Sequence, residues 1–317
     1  MPATKYTGNR APDPDVIVIG EALVDVVTSA QGTVEHPGGS PANVAYGLGR
    51  LGVSTALLTS IGNDNRGAAI EAHLSKAGVR LLPGSNAPGR TASATATLAA
   101  DGSATYDFDI RWKLPSVTPP FLPRVLHTGS IATFLAPGAA AVKALLEHSH
   151  RECTVTYDPN IRPALLGSQA EARSTFEDLV PLTDVIKLSD EDAQWLYPGL
   201  QAEETAARIL GLGARLAIVT HGSKGSLLAT ETAQLHIPAV SSIVADTIGA
   251  GDSYMAALIY GLLTRTTDGL APTVLETLGR VASKAAAITV RRPGANPPTT
   301  EELLKELQDQ RPSSTAA

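Results

Sequence analysis

The sequence is short of cysteine: Cys153 stands alone among 317 residues. One cysteine excludes an internal disulfide and a cysteine-based zinc cluster, and it suits a reducing cytoplasm. The expected role of Cys153 is a buried small apolar side chain rather than a reactive thiol. Positive charge is also scarce: 25 Lys and Arg stand against 31 Asp and Glu, a net charge of −6. A nucleic-acid binder carries a basic surplus or patch instead, and no block of like charges marks an interaction tail. No apolar run nears the roughly 18 residues of a membrane span. Residues 1–14 are polar, carry three prolines and lack the apolar centre of a signal peptide. Neither nucleic acid nor membrane is therefore expected as a partner. Two phosphate-chemistry signatures are missing as well. There is no Walker A pattern, since "GSKGS" (222–226) places Lys before Gly, and the protein-kinase catalytic set is absent.

What is present is a 43% apolar fraction, enough for a sizeable core, arranged as strand-like and helix-like runs in alternation. "DVIVIG" (15–20), "TALLTSIG" (55–62), "VLHTGSI" (125–131), "CTVTYDP" (153–159), "DVIKLS" (184–189) and "LAIVTHG" (216–222) read as buried strands. Helical patterns lie between them at 41–51, 66–77, 138–149, 171–179, 190–196 and 202–211. That order predicts a mostly parallel sheet covered on both faces, with ligands at the carboxyl ends of the strands. Two segments depart from it. Residues 24–39 read as a hairpin turning near Gln31-Gly32, and 91–112 as two strands around Asp101-Gly102. These pieces form either a small separate sheet, which could act as a lid, or an edge extension of the main sheet.

Two glycine motifs bracket the chain, and a third is a decoy. "GLGRLG" (47–52) matches the dinucleotide fingerprint but sits at the far end of a helical pattern, not between a strand and a helix. Ser40 is the expected N-cap of that helix, Pro41 its first residue and Gly52 its C-terminal cap. Upstream, Gly38 and Gly39 let the backbone approach a ligand or bend between sheets, and Asn43 lies in the first turn that follows. In "DTIGAGDSY" (246–254), Gly249, Ala250 and Gly251 precede an apolar helix. Free N–H groups at such a helix start make an anion site. Asp252 beside that site either complements the helix dipole or takes a proton from a hydroxyl during phosphoryl transfer.

Taken together, "GGSPANVAYGLGRLG" (38–52) and "DTIGAGDSYMAALIYGLL" (246–263) make the sequence closely resemble the ribokinase, or PfkB, family of sugar kinases, most of all its bacterial fructokinases, over residues 15–305. The resemblance implies a ribokinase-like three-layer α/β/α core with a mostly parallel sheet, plus a small β lid. Core segments are expected at 15–27, 38–89 and 114–308, the lid at 28–37 and 90–113, and flexible termini at 1–14 and 309–317. The implied reaction is ATP-dependent phosphorylation of a sugar hydroxyl. Asp252 matches the catalytic base, and Gly249, Ala250 and Gly251 match the anion hole. Asp25 matches a sugar-binding aspartate; Gly38, Gly39 and Asn43 match further sugar contacts. "DPNIRP" (158–163) resembles a D-x-N-x-R stretch that turns Asn160 and Arg162 toward substrate, with Arg162 also suited to the transferred phosphate.

The resemblance assigns Lys187, Thr220, Gly222, Ser223 and Gly225, with Gly251, to ATP. "KLSDED" (187–192) matches an Asn-x-x-Glu region near Mg²⁺ but has Ser189 and Asp192 at the two key positions. Either Asp192 or Glu191 could organise the magnesium waters. Asp246, Arg292 and Gly294 are implied backbone ligands of a monovalent cation such as K⁺. Fructose is the expected acceptor. A sugar acid such as 2-keto-3-deoxygluconate, ribose or a nucleoside is the alternative within the family, and a non-catalytic sugar sensor is the alternative outside enzymes. An exposed lid edge could join two copies into a homodimer.

Overall fold

The computed structural model describes residues 13–29, 32–98, 104–114, 121–264 and 269–308. In chain order its strands are β1 (Val16–Ile19), β2 (Leu23–Ser29), β3 (Gly32–Gly38), β4 (Thr55–Leu58), β5 (Ile61–Gly62), β6 (Arg80–Leu81), β7 (Asn86–Ala87), β8 (Ser93–Leu98), β9 (Ala104–Asp109), β10 (Val125–Gly129), β11 (Thr154–Asp158), β12 (Val185–Ser189), β13 (Leu216–Thr220), β14 (Ser226–Ala229) and β15 (Gln234–Ile237). The α-helices are α1 (Ser40–Arg50), α2 (Asn65–Lys76), α3 (Gly138–Ser149), α4 (Gln169–Leu179), α5 (Asp190–Leu196), α6 (Ala202–Gly211), α7 (Ala250–Thr264), α8 (Pro272–Val290) and α9 (Thr300–Gln308).

Nine strands form the main sheet in the order β15-β14-β13-β12-β11-β10-β1-β4-β6. Every pairing in it is parallel except those at the β13–β14–β15 edge. β1 shows why both faces are covered. Its four apolar residues are wholly buried, and the strand's period of two divides them between separate cores. Val16 and Val18 pack with Val44 and Leu48 of α1, Met255 and Leu258 of α7 and Leu275 of α8. Ile17 and Ile19 pack with Val142 and Leu146 of α3, Phe176 of α4 and Ile209 of α6. A helix layer on each side of a sheet follows.

β2, β3, β8 and β9 make a separate four-stranded sheet in the order β3-β2-β8-β9. It starts at Leu23, earlier than the expected boundary at 28, because all seven residues of β2 pair with β3. The apolar run at 55–62 divides: β4 joins the main sheet, while β5 pairs with β7. The turn residues Gln31, Asp101 and Gly102, residues 1–12 and residues 309–317 lie outside the described residues. No helix among the described residues is long and apolar enough to cross a membrane.

The glycines of "GLGRLG" are packing residues. A Cβ on Gly47 would stand 2.9 Å from the Cβ of Ala256 on α7, and one on Gly49 would stand 2.3 Å from the carbonyl oxygen of Ala77. Gly52, at φ +75°, follows the helix end. These contacts bring α1 against α7, which places two parts of the site side by side.

Candidate active site

The site gathers at the carboxyl ends of β1, β10, β11 and β12, where the sheet runs outward from β1 in two directions, through β4 on one side and β10 on the other. Such a switch point opens a crevice in an α/β sheet. Asp252 is at its centre, in the first turn of α7 and only 8% exposed. Ser40 donates its hydroxyl to Oδ1 at 2.6 Å, and Asn43 donates its amide to Oδ2 at 2.8 Å. Burial pushes the Asp252 carboxyl above its ordinary value; the two hydrogen bonds and the Lys187 and Arg162 charges pull it back. Ser40 is thus not the N-cap of α1. Gly39 holds that position with no side-chain cap bond, and the Ser40 hydroxyl is committed to Asp252.

Gly249 has φ +75°, and a Cβ there would stand 2.6 Å from that of Ala295. Only glycine fits this approach. A Cβ on Gly251 would stand 3.0 Å from Nζ of Lys187, so the ammonium lies over the helix start. Lys187 and Asp158 form a buried ion pair at 2.7 Å. Burial lowers the Lys187 pKa, but the charges of Asp158, Asp192 and Asp252 outweigh it and the net shift is upward. Burial also pushes the Asp158 carboxyl up, to about 6, against the pull of Lys187. The second oxygen of Asp158, Oδ1, is buried with no hydrogen-bond partner. An orphaned carboxylate oxygen fits the water shell of a divalent ion. Among the described residues, no group of three His, Cys, Asp or Glu could hold a metal by itself.

Asp192 has both oxygens engaged with backbone: Ile161 N donates to Oδ1 at 2.8 Å and Ser189 N to Oδ2 at 3.1 Å. Together with the Ser189 hydroxyl it closes a capping box at the start of α5. This anchors the loop that carries Asn160, a non-glycine residue at φ +36°. Glu191 is exposed. Arg162 folds back on its loop, donating to Oδ1 of Asn160 at 2.7 Å. Its charge opposes the upward shift that burial gives Glu21, Asp25 and Asp252.

Asp25 sits on β2, beside His36 of β3. Its side chain is exposed in the cleft, but surrounding protein raises its carboxyl, a shift that Asp252 reinforces and that His36 and Arg162 oppose. A Cβ on Gly38 would stand 2.1 Å from Oδ2 of Asp25. Gly39, at φ +98°, has no room for one beside the carbonyl of Glu21.

The remaining candidates form two outer groups. Thr220 ends β13, and Gly222 and Ser223 lie in an exposed single turn after it. Gly225 has a packing reason of its own: a Cβ would stand 2.1 Å from the carbonyl oxygen of Ile237. Asp246 accepts from Ile248 N at 3.0 Å and Gly294 N at 2.8 Å, which lowers its pKa and ties the segment before α7 to the loop after α8. Arg292 makes a two-pronged pair with Glu302 through its side chain. Three residues of the site went unassigned in the sequence reading: Ser40, Asp158 and Glu21. Asp158 opens "DPNIRP", which supplied only Asn160 and Arg162, and Glu21 stands four residues before Asp25.

A buried carboxylate in the first turn of a helix, at the switch point of a doubly covered sheet, fits a phosphotransferase. The pfkB family carbohydrate kinase pattern matches residues 13–302, and the chain belongs to that family. A fructokinase of Rhizobium leguminosarum bv. trifolii is 31% identical over 261 residues, covering 78% of this chain and 79% of its own. A probable fructokinase-3 of Arabidopsis thaliana is 30% identical over 324 residues, covering 95% and 93%. The structure of a double mutant of Vibrio cholerae fructokinase, with fructose, ADP and potassium ion bound, superposes with a TM-score of 0.80 at 27% identity, over 93% of this chain and 99% of that one. The fold is ribokinase-like.

Proposed function

We propose that the chain transfers the γ-phosphoryl group of ATP to D-fructose, giving fructose 6-phosphate. The observation that carries this reading is Asp252, buried at the start of α7 and aimed by Ser40 and Asn43. Asp25, Gly38, Gly39, Asn43 and Asn160 bind the sugar. Asp252 takes the proton of the acceptor hydroxyl as its oxygen bonds to the γ-phosphorus and the bond to the β,γ-bridging oxygen breaks. The backbone N–H groups of Gly249, Ala250 and Gly251, with Lys187 and Arg162, neutralise the phosphoryl oxygens during transfer. The proton ends on Asp252 and ADP leaves. Thr220, Gly222, Ser223 and Gly225 line the nucleotide side.

Mg²⁺ bound with the nucleotide supplies further neutralisation of the phosphates, and Asp158, Asp192 and Glu191 are the residues that would hold its waters. The backbone of Asp246, Arg292 and Gly294 would hold K⁺. The four-stranded sheet acts as the lid over the acceptor. Support for fructose comes from relatives that carry that name and from a neighbour with that sugar bound.

The test is ADP release with Mg·ATP against fructose, glucose, mannose, ribose, adenosine, 2-keto-3-deoxygluconate and fructose phosphates. A kcat/KM for fructose far above the rest is expected. Preference for another panel member moves the acceptor and leaves the chemistry. ATP binding without turnover on any would replace the kinase reading with sugar sensing.

A further inference from the structure

Glu21 is the one buried acid of the site with no part in the chemistry described so far. It is 4% exposed, and burying a carboxyl is costly unless its oxygens are satisfied. Here Oε2 accepts from the backbone N–H of Ala132 at 3.1 Å, and Ser130 beside it helps to hold the carboxyl down against its burial. The other side of Ala132 is held too: Trp112 donates its indole N–H to the Ala132 carbonyl at 2.9 Å. Trp112 is itself fixed, because Gly138 N donates to its carbonyl at 3.2 Å. A Cβ on Gly138 would strike the indole ring at 2.3 Å. Ser130, two residues before Ala132, has φ +54°. A non-glycine residue in that region needs its surroundings to hold it.

The positions of the two side chains in the chain give this arrangement its meaning. Glu21 lies in the passage from β1 into the four-stranded sheet, and Trp112 lies in the passage out of β9 back to the main body. Both passages therefore close on one residue, Ala132, in the single turn that follows β10. We propose that Glu21 is a positioning residue for the sugar acceptor: through Ala132 and Trp112 it registers the four-stranded sheet on the main sheet, and so sets where Asp25 stands over Asp252. This rests on the kinase reading above only in naming the acceptor as the ligand positioned. Burial pushes the Glu21 carboxyl up to about 8, so at neutral pH it is the uncharged acid, whose shape and acceptor oxygen an amide copies.

The experiment compares Glu21→Ala, Glu21→Gln and Trp112→Phe with the parent chain. Glu21→Ala should raise KM for the acceptor about tenfold and leave KM for ATP within about twofold, while Glu21→Gln stays within about twofold of the parent for both. Trp112→Phe, which lacks the indole donor, should repeat the acceptor-specific rise; it serves in place of Glu21→Ala if that variant does not fold. A second readout needs no turnover: in a Trp195→Phe background Trp112 is the sole indole, and Glu21→Ala should shift its emission to the red while Glu21→Gln does not. Unchanged acceptor KM and unchanged emission in Glu21→Ala would overturn the proposal. So would acceptor and ATP constants rising together with no rescue by Gln. If the parent turned over no acceptor at all, the kinase reading would fail, and the emission arm would still decide this one.

Discussion

Burial holds the Asp252 carboxyl above its ordinary value near 3.8, and Ser40, Asn43, Lys187 and Arg162 restrain the shift. A base must be deprotonated to act, so kcat/KM should fall as pH falls, with a midpoint above 3.8 in a pH–rate profile. Asp252→Ala should lower kcat by roughly 10²–10⁴ with ATP affinity largely kept, checked by ADP release and nucleotide titration. Lys187→Met leaves Asp158 buried without its partner, a loss of about 3–5 kcal/mol in denaturant unfolding that Lys187→Met with Asp158→Leu should largely recover. Glu21 gives a separate pH signature. Its folded pKa of about 8 lies above the ordinary 4.5, so the folded state binds the extra proton between those values. Stability then falls as pH rises through that window, by at most about 1.4 kcal/mol per pH unit. Glu21→Gln should flatten that part of the curve, measured as the difference between the two chains. Asp252 and Asn43 were readable from sequence because each sits in a dense glycine motif. Ser40 was not, since serine before a helix is a routine cap and its true partner is Asp252, far along the chain.

Among the elements, the start of α7 is the most constrained. Gly249→Ala must keep φ +75° and also displace Ala295, whereas Gly222→Ala, at φ +51°, meets open space. The first should therefore cost several kcal/mol and most of the activity, and the second only the roughly 1–2 kcal/mol of a left-handed alanine. Paired thermal melts and rate measurements on the two variants check this. The start of α5 shows how far sequence reaches at this scale. Ser189 and Asp192 were visible as departures from a magnesium motif, but the capping box and the bond from Ile161 N were not. The capping box is a local Ser-x-x-Asp pattern that the magnesium reading passed over, whereas the bond from Ile161 N depends on β11 and β12 ending side by side, a tertiary fact. The division of 55–62 into β4 and β5 was hidden for the same reason: both halves are apolar, and only their partners differ.

For the molecule as a whole, alternating strand and helix runs were enough to give a parallel sheet with two helix layers. The small sheet was left between two placements, because a two-faced strand pairs equally well at the edge of a large sheet. Its outer strands, β3 and β9, are where a second copy could add. Val34 on β3 is 53% exposed. If the expected homodimer forms there, the chain sediments as a dimer and Val34→Lys weakens it; sedimentation as a monomer in both would remove the interface.

Helix α7 has buried residues on every side, from Asp252 through Leu263, and it is wedged between α1 and α8 at contacts too close for a methyl group on Gly47 or Gly261. The residue proposed as the base is thus built into the same timber that holds the house up. Nearly any change along it is felt first as lost folding, so such a chain has little freedom to drift in what it does to a hydroxyl. Its freedom lies in the four-stranded sheet, above all along β3, where side chains face water and can be exchanged at small cost. Selection or engineering for a new acceptor should collect its changes there and leave α7 untouched.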